Sequence, residues 1–97
     1  MKVHWTDTAA GQLDAIYNYI AQDSRQYARR VVYRLIRRSH QIADHPFSGR
    51  KVPEYDVKQV REVIEGSYRI LYHIKSDQID VIAIIHGAMD IRPSQDD

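Results

Sequence analysis

The sequence contains no cysteine. That excludes a disulfide-stapled scaffold and a metal site built from thiolates. It also lacks an apolar run of the about eighteen residues that a membrane-spanning helix needs. The first residues, MKVHWTDTAAG, have no apolar core of the kind a secretory signal carries. A cytoplasmic protein with no membrane partner is the expectation. Gly-rich phosphate loops, H-E-x-x-H and G-x-S-x-G do not occur. His40 and His45 do not share a helical face, since Pro46 follows the second. Neither a metal nor another cofactor is expected. With three prolines, four glycines and a net charge of +1, the chain has no low-complexity linker and is not a polycation as a whole. Its 97 residues read as one domain, 1–97, with a polar tail from about residue 92 to 97.

What is present is uneven. Six of the fourteen basic residues are arginines between Arg25 and Arg38. They sit in a segment where Ala28, Val31, Val32, Leu35, Ser39 and Ile42 mark one helical stripe. Arg30, Arg34, Arg37 and Arg38 fall on the other side. A helix from about Ser24 to about Asp44 follows, with one strongly positive face. It suits a nucleic acid or an acidic protein, or simply solvent. Upstream, Leu13, Ile16, Tyr17 and Ile20 define a first helix from about Asp7 to about Gln22, capped by Thr6, Asp7 or Thr8. The short break at Asp23-Ser24 predicts an antiparallel helical hairpin.

Lys2 to Trp5 reads as a strand. Three more follow in VKQVREVI, SYRILYHI and QIDVIAIIH, with tight turns at Glu65-Gly66-Ser67 and Ser76-Asp77-Gln78. The last run is apolar almost throughout and predicts a strand covered on both faces. The order βααβββ implies an α+β domain, its helical hairpin packed on a mostly antiparallel four-stranded sheet. Between hairpin and sheet, HPFSGRKVPE is a loop, with Phe47 expected to plug it onto the core. Tyr17, Tyr33 and Tyr72 read as core residues, and Glu62 and Glu65 as surface charge at strand ends. Tyr19, Tyr27 and Tyr55 are open to use at an interface.

In SYRILYHI, alternation puts Arg69 and His73 on one face, and Arg61 and His86 on the neighbouring strands could join them. Such a set suits phosphate binding and acid–base work on RNA. A solvated sheet face fits the same spacing. Arg50-Lys51 could grip a phosphate backbone or be a wet loop.

Four stretches together resemble the RelE/ParE superfamily of type II toxin–antitoxin toxins. VHWTDTAAGQLDAIYNYI is similar to its first strand and helix, and HPFSGRKVPEY to its loop. YRILYHI resembles its Y-R-I-x-Y strand, and VIAIIHGAMDI its closing strand. The likeness spans nearly the whole chain. It implies a cognate antitoxin, operator DNA only through the antitoxin complex, and one of two targets. RelE-like members cleave mRNA on the ribosome, whereas ParE-like members poison DNA gyrase. In the mRNA-cleaving branch an arginine usually stands two residues after the glycine that ends the last strand. Here that residue is Met89, which cannot stabilise phosphate charge. The ending His86-Gly87-Ala88-Met89-Asp90 is closer to ParE. The resemblance therefore implies a gyrase inhibitor with no catalytic residues, contacting its target through Arg61, Arg69, His86, Met89, Asp90 and Arg92. Arg30, Arg34 and Arg37 would meet the antitoxin. In the alternative, mRNA-cleaving reading, Arg61, Arg69, His73 and His86 would be catalytic. A binding module that has lost toxicity is a third reading.

Overall fold

A computed structural model describes residues 1–87 of the chain. The elements run β1 (Lys2–Trp5), α1 (Asp7–Ala21), α2 (Arg25–Ile42), β2 (Arg50–Lys51), β3 (Val60–Glu65), β4 (Tyr68–Ile74) and β5 (Gln78–His86), with one 3-10 turn at Pro46–Ser48. The α+β hairpin-on-sheet architecture is as expected. The sheet has five strands rather than four, in the order β1-β5-β4-β3-β2. The added strand is two residues long, too short to carry a periodic signal. β1 pairs parallel to β5, and every other pairing is antiparallel.

Both helices start where capping chemistry places them. The Thr6 hydroxyl accepts from the Ala9 amide and donates to the Val81 carbonyl, so it caps α1 and ties it to β5. Ser24 accepts from the Tyr27 amide and starts α2. Gly66, at φ 61°, supplies the left-handed residue in the β3–β4 turn.

Ala28, Val31, Leu35, Ser39 and Ile42 bury the inner face of α2. They meet Val63, Ile70, Tyr72 and Ile74 from the sheet, together with Ile79, Val81 and Ile84 of β5. A second, smaller cluster on the other sheet face joins Val52, Val60, Leu71 and Ile85. β5 serves both clusters through a bulge. Leu71 pairs with Ala83 and Tyr72 with Val81, leaving Ile82 as the extra residue. The bulge reverses the phase of the strand: Ile79 and Val81 face the helices before it, and Ile84 after it.

Three expectations about single residues fail. Tyr33 is 63% exposed, because it lies across the helix from Val31 and Leu35. Phe47 is 51% exposed, and Val52, at 0%, plugs the loop instead. Glu62 is buried at 1%; it lies in an ion network between strands, not in water.

Candidate functional site

The open face of the sheet centres on Arg69. Its Nε donates to Glu62 Oε1 at 2.7 Å, while Nη1 and Nη2 reach the two Glu54 oxygens at 3.1 and 3.0 Å. Arg50 Nε donates to the other Glu62 oxygen. The Glu54 carboxylate, with Glu62, holds the Arg69 guanidinium even further toward its charged form than usual, against the opposing effect of burial. This network joins β2, β3, β4 and the following loop. Its result is electrostatic: the Y-R-I-x-Y arginine is neutralised by two acids.

The loop is fastened on the other face as well. The Tyr72 hydroxyl donates to the Pro46 carbonyl at 2.6 Å. Burial raises the pKa of that phenol, offset by a Gly49 backbone hydrogen bond and by Arg61 and Arg38. Arg61 donates to the Lys58 and Gly49 carbonyls. Its guanidinium lies 5.1 Å from the Phe47 ring centre, with the Lys58 ammonium at 5.9 Å.

The four candidate catalytic side chains do not converge. Arg61 pairs with Tyr72, so it points to the helix side of the sheet, away from Arg69. Their expected shared face is therefore corrected: Arg61 stands an even four residues before Glu65, whose partner Tyr68 is on the helix side, so Arg61 shares that side. His73 does share the Arg69 face, but it lies four positions along the strand, about 13 Å away. His86 pairs with Tyr68 on the helix side, its ring 6.0 Å from the tyrosine in an edge-on arrangement. Only Arg69 and His73 occupy one face, too far apart to act on one phosphate.

His86 lies at the rim of an apolar groove of about 360 Å³, between α1 and the ends of β4 and β5. Ile16, Tyr19, Tyr68 and Ile84 line it, and Tyr19 is 74% exposed. The outer face of α2 presents Arg30, Arg34 and Arg37, all exposed. Met89, Asp90 and Arg92 lie outside the described residues. Among the described residues no cluster of histidines and acids is arranged to hold a metal, and no helix is long and apolar enough to cross a membrane.

Sequence reasoning missed Glu54 and Glu62 as partners of Arg69. A faint signal exists in strand parity, since Glu62 lies diagonally across the β3–β4 hairpin from Arg69.

A family model described as the ParE toxin of the type II toxin–antitoxin system, parDE, matches residues 3–91. The toxin-named protein Y4kP of Sinorhizobium fredii is 32% identical over 88 residues, covering 89% of this chain and 88% of that one. Toxin RelE2 of Caulobacter vibrioides is 32% identical over 88 residues, covering 90% and 96%. Among solved structures, the chromosomal ParDE system from P. aeruginosa is similar at a TM-score of 0.74 and 25% identity, covering 89% of this chain and 95% of that one. A YoeB/ParE toxin from Agrobacterium tumefaciens shares the fold at a TM-score of 0.61 and 17% identity, covering 89% and 98%.

Proposed function

We propose that this chain, which belongs to the ParE toxin family of type II toxin–antitoxin systems, acts by inhibiting DNA gyrase. A cognate antitoxin partner follows from the family membership itself. The observation that carries the gyrase reading is the enclosure of Arg69 by Glu54 and Glu62. A sheet face that cleaves RNA needs unneutralised cations where phosphate charge develops. Here the central cation is already matched, Arg61 and His86 face the other side, His73 lies too far along the strand, and Met89 stands where the cleaving branch carries arginine. The working residues are then interface residues: His86 at the strand end with Met89, Asp90 and Arg92, and Arg61 on the helix side. Arg69 contributes by fixing the loop, not by touching the target.

The antitoxin would lie in the apolar groove beside α1, which has exposed Tyr19 and half-buried Ile16 on its wall. Arg30, Arg34 and Arg37 would meet its acidic residues.

A second reading, ribosome-dependent mRNA cleavage, is favoured by the relative named toxin RelE2. The separating experiment is gyrase supercoiling in vitro, with the toxin alone and with the toxin bound to its antitoxin. Loss of supercoiling with accumulation of cleaved DNA, reversed by the antitoxin, is expected. Undiminished supercoiling at high toxin excess, with mRNA cut on ribosomes, would replace the gyrase reading with the second one.

A further inference from the structure

The basic residues fall into two groups. Those on the open sheet face are matched with acids: Arg50 and Arg69 with Glu62 and Glu54, and Lys75 with Asp80; Lys51, opposite Arg61, pairs with Asp56. Among the described residues, no ion pair engages Arg34, Arg37 or Arg38. These three, with Gln41 and Glu65, line a polar cleft of about 280 Å³ between α2 and the end of β3. Like charges gathered in one concavity repel one another and focus a positive field there. The Glu65 carboxylate on the rim offsets at most one of the three.

Arg61 extends this positive surface. It lies on the helix side of β3, four residues before Glu65, about 13 Å along the strand. The Lys58 and Gly49 carbonyls fix its guanidinium without cancelling its charge. Beside it the half-exposed Phe47 ring is flanked by Arg61 and Lys58. Arg61 pairs with Tyr72 and so faces the helices, which puts the aromatic end on the α2 side of the sheet, as the cleft is. That side thus carries three guanidinia near one end of β3 and a cation-flanked ring near the other.

We propose that cleft and ring form one trough that binds a single strand of DNA, with phosphates on Arg34, Arg37 and Arg38 and a base stacked against Phe47. The guanidinium fork matches phosphate oxygens in pairs. A solvent-facing ring among cations is a stacking platform for an unpaired base, which a duplex does not offer. The antitoxin's acidic residues would compete for Arg34 and Arg37, but the lining of the cleft itself is polar throughout, which suits a phosphate backbone. The choice of DNA over RNA rests on the gyrase reading, which places the chain against cleaved DNA.

The test is fluorescence anisotropy of a short labelled oligodeoxynucleotide titrated with the full chain. The same sequence is run as RNA and as duplex DNA. Removing two trough charges, Arg34→Gln with Arg38→Gln, should weaken single-strand binding at least tenfold and lower the salt slope by about 1.4. Removing two charges outside the trough, Arg25→Gln with Arg29→Gln, should change affinity less than about threefold. Phe47→Ala should cost about fivefold or more on the single strand and nothing on the duplex. Glu65→Gln should tighten binding. Circular dichroism of each variant checks that it is folded. Equal losses from both arginine pairs would mean diffuse charge and overturn the site. So would tighter binding of RNA, or loss of antitoxin binding with no DNA binding to lose. The assay contains no gyrase. A chain that binds DNA this way but leaves supercoiling intact sinks the gyrase reading alone. A chain that stops supercoiling without trough-dependent binding sinks this proposal alone.

Discussion

At the scale of single residues, the tightest constraint is at Gly49. Its backbone angles suit any residue, yet an added Cβ would sit 2.3 Å from the Tyr72 hydroxyl oxygen and 2.7 Å from the Glu62 carbonyl. Gly49→Ala should therefore destabilise the fold by about 1–3 kcal/mol through overpacking. Tyr72→Phe alone should cost about 1 kcal/mol by losing the hydrogen bond to Pro46. Combined, the two should cost less than their sum, because the phenylalanine removes the nearest clashing atom; urea unfolding of the four proteins measures this. Asp80 offers a pH test. A hydrogen bond from Lys75, with a second from Gln78, holds its carboxyl below the usual range, with burial opposing. The native state thus binds this proton at lower pH than the unfolded chain. The stabilisation is complete above a pH of about 4 and fades as pH falls through the lowered native value. Lys75 is half-exposed, so solvent screens the pair to about 0.5–1 kcal/mol. Asp80→Asn should lower the melting temperature by a few degrees at neutral pH. That gap should close on acidification.

At the scale of elements, the ion network fastens β2 and its loop to β3 and β4. Glu62→Gln would leave Arg69 with Glu54 alone and Arg50 with no carboxylate in the network. Removing one partner from a buried pair costs about 3–5 kcal/mol, and thermal unfolding should show a loss of that order. The network also marks where the sequence becomes silent. The alternation in YRILYHI was legible, as was the hairpin turn at Gly66 from its residue type; Tyr68, Ile70, Tyr72 and Ile74 are the set that packs under the helices. Burial of Glu62 was not legible. An acid is stable there only because Arg50 and Arg69 arrive from 12 and 7 residues away. The bulge at Ile82 was hidden too, since a strand apolar at nearly every position carries no phase to break. Phe47 misled for a related reason. Hydrophobicity predicts burial, but a ring faced by two cations is stabilised at the surface.

At the scale of the whole molecule, charge among the described residues is sorted by side: neutralised on the open sheet face, without ion pairs along α2 and at Arg61. Converting Arg30, Arg34 and Arg37 to glutamine should weaken antitoxin binding and flatten its salt dependence, read by calorimetry at two ionic strengths. Affinity unchanged across salt would remove those residues from the antitoxin interface. Arg34 and Arg37 would serve both occupants, so antitoxin and DNA strand should compete. The sheet has a further consequence, for the order in which the chain is made. β1 lies at one edge and pairs only with β5, and Thr6 bonds to Val81 across 75 residues of sequence. The helical hairpin, built from near neighbours, can form while the ribosome is still translating. The sheet cannot close until residues 78–86 have been synthesised and have left the exit tunnel. A nascent chain is therefore harmless for as long as its activity depends on the closed sheet. The groove proposed for the antitoxin, lined by Ile84 and His86, is completed by the same strand, so the chain becomes able to act and able to be held at one moment.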